Sequence, residues 1–414
     1  MKPLRIAVLG AGPVGLETAL YAATLGHDVR VLEKGRVGEN LARWGHVTLF
    51  SPWSMNHTPL GLRVLESSGG FSPAAPGEHF SGTEYRRRYL LPLAASPLLR
   101  TRILESHRVV SVGREDLLKG ERIARTERLE SPFRILAETL RGETIVTADR
   151  VLDATGTYGI PNSLGAGGIP APGEREAGER ISYDLDDPLG RDRAKYEGQR
   201  TLLVGCGYSA ATSVLAFRRL VEEAPSTSLL WVTRESEEHP FESSPDDPLP
   251  GRAALVREAN RIASRGAPGI LRLAAHCVES IRPAEGGALK VTLRSAAGAE
   301  TRMVDRILAN VGYRPDRSLY AELQVHECYA SSGPMKLAAA LLAEDAADCL
   351  ARTAHGPETL RNPEPGFFIL GSKSYGRNSS FLLRIGFVQV RDIFRLIQED
   401  PNLDLYARPE PVPA

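Results

Sequence analysis

The clearest alternation of apolar and polar positions lies at the start of the chain. Residues 6–9 form a short apolar run, right for a buried parallel strand. A turn of small residues follows, and then Leu16, Ala19, Leu20 and Ala23 recur at helical spacing. Gly26 stops that helix, and a second strand, 29–32, ends at Glu33. The pattern predicts strand, tight turn, helix, strand. It returns at 201–204, with a small-residue turn, an apolar helix to about Leu220 and a strand at 229–232.

The intervening patterns are weaker. Thr83 is placed to cap a helix through Ala95, because Tyr89, Leu90, Leu93 and Ala94 share a helical face, although Pro92 interrupts it. Residues 65–78 read as a flexible surface segment. A strand is expected at 109–112, a hairpin at 133–136 and 144–147, and a strand at 151–152 running into Ala154-Thr155-Gly156. Segment 165–177, rich in Gly, Pro and Ala, reads as a boundary loop, and 239–252 as another loop. Strands at 289–293 and 303–307 follow. Residues 305–316 parallel 149–156, each a strand entering a glycine turn. Residues 335–342 form a helix. Residues 367–370 form a strand, Gly371-Ser372 a turn, and 382–397 an apolar helix.

The two turns carry candidate chemistry. Gly10, Gly12 and Gly15 give G-x-G-x-x-G around Pro13 and Val14. The first glycine allows the tight turn, the second lets a pyrophosphate approach the backbone, and the third lets helix and strand pack closely. The helix N-terminus offers unpaired N–H groups to phosphates. Glu33, 23 residues after Gly10, stands where a carboxylate takes ribose hydroxyls. The second turn reads Gly205, Gly207, Ala210 around Tyr208 and Ser209, and Arg234 stands just past its second strand. An arginine there takes the 2′-phosphate of NADPH. Two fingerprints with leading glycines 195 positions apart mean two dinucleotides on one chain, FAD in the first and NADPH in the second, with hydride passing between them. Trp44 and Trp53 lie in the loop after Glu33, where indoles line a cofactor or cover a sheet edge. His326 and Cys328 read either as a hydrogen-bonded imidazole and a buried thiol or as groups with a redox or acid/base role, with side chains on one side if 323–328 is a strand.

Composition narrows the classes. A chain of 414 residues exceeds one ordinary core. Lys+Arg and Asp+Glu both number 51, which argues against nucleic acid or an anionic membrane as partner. The cysteines, Cys206, Cys277, Cys328 and Cys349, form no C-x-x-C pair and no metal-ligand spacing, so a reducing cytoplasm and no metal are expected. No apolar run is long enough to span a bilayer.

Together VLGAGPVG with Glu33, DATG, VGCGYSA with Arg234, ANVGYRPD and FILGS resemble the two-dinucleotide-binding flavoproteins. That group holds thioredoxin reductase-like folds and the flavin-containing, Baeyer–Villiger and N-hydroxylating monooxygenases. The resemblance implies an α/β fold with two Rossmann-like domains, an NADPH domain inserted into a split FAD domain. The expected bounds are 1–158, 159–303 and 304–405, with a disordered tail at 406–414. It implies FAD at Gly10, Gly12, Pro13, Val14, Gly15, Glu33, Trp44, Thr155, Gly156, Gly371 and Ser372. NADPH falls at Gly205, Gly207, Tyr208, Ser209, Ala210 and Arg234. The expected activity is NADPH-dependent oxygenation, with O₂, of a nitrogen or sulfur centre in a small molecule. Asn56, Lys373 and Arg377 would be positioning or electrostatic groups. The alternatives are a reductase of a quinone or external disulfide and a non-catalytic flavin-bound scaffold. Three departures stand out. The reductases' C-x-x-C is absent, the monooxygenases' F-x-G-x-x-x-H has Ser182 at its histidine position, and Gly371-Ser372 replaces the reductases' Gly-Asp.

Overall fold

The computed structural model describes residues 2–69, 71–243, 247–343 and 355–407. The expected tail beyond 407 and Cys349 lie outside the described residues. The chain forms two compact units, one of residues 1–160 with 314–414 and one of residues 161–313.

In the first unit a parallel sheet has the order Phe367–Ile369, Arg150–Asp153, Arg5–Leu9, Asp28–Leu32, Ile103–Leu104. Successive side chains of a strand point to opposite faces, and the first strand shows what each face buries. Ile6 and Val8 join the core under the helix Pro13–Thr24, which buries Leu16, Ala19 and Leu20. The helix Leu383–Gln398 packs into the same core, with Phe394 stacked on Tyr21 at 5.0 Å. Ala7 and Leu9 face the other way, into a core shared with an antiparallel sheet of Arg108–Arg114, Phe133–Thr139 and Gly142–Ala148.

The second unit repeats the plan. Its parallel sheet runs Ile270–Leu273, Ser228–Val232, Arg200–Val204, Arg306–Ala309, Ile181–Ser182. Its antiparallel sheet is Cys277–Pro283, Leu289–Ser295 and Gly298–Val304. Details recur too. The first two antiparallel strands slip register by one residue in both units, between Val109 and Ser111 and between Val278 and Ser280. Arg5 pairs with Asp149 at 2.6 Å, and Arg200 with Asp305 at 2.6 Å. In each pair the arginine N–H also donates to the aspartate, at 2.8 Å.

Several expected elements shift. The expected strand 303–307 is two strands, because Asp305 turns out of line to meet Arg200. Arg306–Ala309 then pairs with Arg200–Val204, so the chain leaves the inserted unit at 313 and not at 304. Ser81, not Thr83, caps its helix, through a reciprocal box with Glu84. That helix widens to a π turn over Arg86–Leu90 before Leu91–Ala94. A proline at 92 has no N–H to give the α ladder, and the wider turn accommodates it. Part of the expected surface segment 65–78 belongs to the helix Pro59–Ser67, and 323–328 forms no strand beyond a single bridge at Glu327.

The halves of the first unit are joined through Glu364. Its carboxylate, fully buried, accepts from Arg114 Nε at 2.8 Å, Arg128 Nη2 at 2.9 Å and the Gln324 N–H at 3.0 Å. Removing the acid strands two buried guanidinium groups, which costs about 3–5 kcal/mol. Glu364→Ala is expected to lower the unfolding free energy by about that amount in urea titration, and Glu364→Gln by less.

Candidate functional site

Three turns of the first unit converge. Gly10 has φ 95°, and a Cβ there would lie 2.9 Å from the Ala154 carbonyl oxygen. A Cβ on Gly15 would lie 2.0 Å from the Gly10 carbonyl oxygen, so only glycine lets helix and strand meet. Gly12 has nothing within 4 Å of its Cβ position, and the helix it opens, with Pro13 at its start, has no side-chain cap. The unpaired N–H groups therefore stand behind an open backbone edge, the arrangement a pyrophosphate needs. Glu33 is buried and accepts from the Ala11 N–H at 2.7 Å and the Gly35 N–H at 2.8 Å. Two acceptor positions of its carboxylate remain for ribose hydroxyls. Ser372 Oγ lies 3.5 Å from the Cβ position of Gly156, and Gly371, at φ 69°, abuts Val14.

The half-buried Trp44 packs on the core, and its indole Nε1 is buried with no hydrogen-bond partner among the described residues. An orphaned donor in the loop after Glu33 suits a bound group that accepts. Trp53, by contrast, is wholly core, ringed by His57, Phe80, Tyr85 and Tyr89.

The three expected positioning groups are otherwise engaged. Asn56 is buried, donates both amide hydrogens to the Ser51 and Pro52 carbonyls, and accepts from the Ser51 hydroxyl. It has no donor left for a flavin. Lys373 is fully buried, its ammonium 2.6 Å from Asp153 and 3.0 Å from the Thr155 hydroxyl, beside the Tyr320 ring. The Thr155 hydroxyl donates in turn to Asp153 at 2.7 Å, so its proton is not free for a ligand. Arg377 is exposed, its backbone N–H donating to the Ser331 carbonyl at 2.7 Å and its Nε to the Ser332 hydroxyl at 3.4 Å.

In the second unit a Cβ on Gly205 would lie 2.3 Å from the Asn310 carbonyl oxygen, Gly207 is open, and the helix Tyr208–Glu223 has no side-chain cap. Tyr208 and Ser209 are exposed at its first turn, and Ala210 is buried where the third small residue must pack. Trp231 Nε1 donates to the Gly205 carbonyl at 2.9 Å. Arg234 is exposed, with no hydrogen bond among the described residues. Sequence patterning missed Arg272, which lies across the Trp231 ring and donates to Thr233, Glu237 and Glu238, curling the loop that carries Arg234. A lone arginine inside a strand carried no signal for that role.

The chain belongs to the pyridine nucleotide-disulphide oxidoreductase family, whose model matches residues 7–335. No curated protein matches it. Among solved structures it is similar to a bacillithiol disulfide reductase from Bacillus cereus, with TM-score 0.67 and 18% identity over 96% of this chain and 99% of that one. A thioredoxin reductase from T. acidophilum gives 0.62 and 16% over 96% and 100%. An ornithine hydroxylase from Pseudomonas aeruginosa gives 0.62 and 15% over 96% and 99%. Among the described residues no helix is long and apolar enough to cross a membrane.

One buried acid, Glu17, was also missed, because it sits inside an otherwise apolar helix. Its Oε1 accepts from the Thr58 hydroxyl at 2.9 Å. Burial pushes its carboxyl up to about 7, against smaller downward pulls from Thr58, Tyr406 and Arg63. The folded protein thus keeps a proton that the unfolded chain releases near 4.5. The associated stability is present at low pH and is lost as pH rises from about 4.5 through about 7. Glu17→Gln cannot titrate. The variant is expected to gain on the wild type by about 3 kcal/mol between pH 4 and 8, read from urea midpoints.

Proposed function

We propose that this family member is an FAD-dependent NADPH oxidoreductase that oxygenates a small molecule at a nitrogen or sulfur centre, with O₂ as co-substrate. The observation that carries the cofactor reading is the pair of uncapped helix N-termini behind open glycines, Gly12 and Gly207. FAD suits the first unit, where Glu33 has acceptor positions for an adenosine ribose and Trp44 has a spare donor. NADPH suits the second, where Arg234 is exposed past the strand Ser228–Val232. FAD when bound supplies hydride acceptance and the activation of O₂. The protein's part is to bind and orient. The Asp153–Lys373 pair locks the Thr155 and Ser372 turns together, and Asn56 shapes the loop at Ser51 and Pro52. The likeness to an ornithine hydroxylase supports oxygenation of nitrogen.

One observation favours reduction of an external disulfide instead. The neighbouring Ser331 and Ala330 polar groups hold the Cys328 thiol below its ordinary value. The turn 328–333 is held against 374–377 by the Arg377 N–H.

The purified protein is expected to be yellow and to release FAD on heating. Replacing Arg234 by Ala is expected to raise KM for NADPH about ten- to a hundredfold, the worth of a charge-assisted phosphate contact, with little change for NADH. NADPH oxidation is then followed with amines, thioethers and disulfides, with and without O₂. Product formation that needs O₂ and survives Cys328→Ser is the expected result. Anaerobic turnover with a disulfide, abolished in Cys328→Ser, would replace oxygenation by the reductase reading.

A further inference from the structure

Two segments of the first unit meet backbone to backbone just past the cofactor cradle. A Cβ on Gly376 would lie 2.1 Å from the Ser331 carbonyl oxygen, and one on Gly333 would lie 3.0 Å from the Ser374 carbonyl oxygen. The Arg377 N–H donates to the Ser331 carbonyl at 2.7 Å, and the Cys328 N–H to the Gly333 carbonyl at 2.8 Å. Ser332 sits at φ 60°, a conformation that a residue with a side chain keeps only where its surroundings enforce it. Its N–H donates to the Cys328 carbonyl at 2.8 Å, and its hydroxyl accepts from Arg377 Nε at 3.4 Å. The strained residue thus anchors the inner nitrogen of an exposed guanidinium.

The charge on this platform is one-sided. Residues 328–343 and 371–391 contain no Asp or Glu, in a chain whose acidic and basic residues are equal in number. Their cations are Lys336, Lys373, Arg377, Arg384 and Arg391. Lys373 is matched by Asp153, Arg391 by Asp392 and Asp404, and Arg384 is engaged. Arg377 and Lys336 are exposed, with no ion pair among the described residues. Exposed arginines elsewhere in the unit, such as Arg5, Arg108 and Arg361, each meet a carboxylate. The segment that carries Arg377 also begins in the cradle, where Gly371 abuts Val14. A guanidinium fixed at Nε and free at its terminal nitrogens matches a carboxylate, which it takes through two parallel hydrogen bonds.

We infer that Arg377, with Lys336 as a second charge, holds a carboxylate of the substrate, so that the enzyme acts on a carboxylate-bearing amine, thioether or disulfide in preference to its neutral analogue. The inference names the substrate class of the reaction proposed above and rests on the first unit being the flavin site. The almost fully exposed Tyr329 ring, on the same turn as Cys328, adds apolar surface for the rest of the molecule. A contact remote from the reacting atom stabilises ground state and transition state alike, so its loss falls on KM and leaves kcat.

The test supplies NADPH-driven turnover with ornithine, methionine and cystine, each as the free acid and as the methyl ester. The acids are expected to exceed their esters in kcat/KM by roughly ten- to a hundredfold, the difference lying in KM. Arg377→Gln is expected to erase that advantage, Arg377→Lys to keep part of it and Lys336→Gln to reduce it. Arg361→Gln, which removes a paired cation from the same unit, is expected to leave it intact. Binding is read apart from turnover, as the rise in melting temperature that each compound gives the purified protein. The acids are expected to raise it in the wild type and not in Arg377→Gln. Equal turnover of acid and ester, or an acid preference that survives Arg377→Gln, overturns the role of Arg377 and leaves the proposed reaction standing. Neither turnover nor a thermal shift with any of these compounds overturns both.

Discussion

The first unit depends on one buried ion pair. Asp153 ends the strand Arg150–Asp153, Lys373 lies in the turn after Phe367–Ile369, and their 2.6 Å contact joins segments 220 residues apart in sequence. Both side chains are fully buried. Such a pair adds little net stability, because the desolvation of two ions offsets their attraction. Its effect is on specificity. The ammonium also reaches Thr155, so the A-T-G turn and the Gly371–Tyr375 turn cannot move independently. Gln389 adds a second tie, accepting from the Gly371 N–H at 2.8 Å and donating to the Ser374 hydroxyl at 2.9 Å. The turns around the first fingerprint are thus preorganised by buried groups that bond to one another.

That division of labour explains what was legible in the sequence. Gly10, Gly15 and Gly205 could be read because the constraint is local: a carbonyl oxygen occupies the space of a side chain. The leading strands could be read because each buries an unbroken apolar run, Ile6 to Leu9 and Leu202 to Val204. The partners of Asn56 and Lys373 could not be read, since a polar residue near a motif looks alike whether it meets a ligand or its own fold. Only the partner decides, and the partners Ser51 and Asp153 are fixed by tertiary contact. The unit boundary was misplaced for a related reason. Residues 305–316 look like a crossing between units, as 149–156 do, yet Arg306–Ala309 completes the inserted sheet before the chain leaves it.

The family and the fold leave the second half-reaction open to chemistry. The described residues hold Cys206 and Cys277 in one unit and Cys328 in the other. Cys206 lies in the fingerprint turn and Cys277 opens an antiparallel strand. The Cys328 thiol is held below its ordinary value by the polar groups of Ser331 and Ala330. The cofactor cradles serve oxygenation and disulfide reduction alike, and the thiol reading rests on one turn.

The inserted unit begins and ends at a single point of contact. The Asn162 N–H donates to the Gly312 carbonyl at 2.9 Å, and the Asn162 amide donates to the Val311 carbonyl at 3.0 Å. Once that unit has formed, its ends are as close as those of a hairpin. To the surrounding chain a long insertion then has the reach of a few residues, and the entropy of closing a loop grows only with the logarithm of its effective length. A unit folded with its ends together shortens the loop that the pairing of Phe367–Ile369 with Arg150–Asp153 has to close.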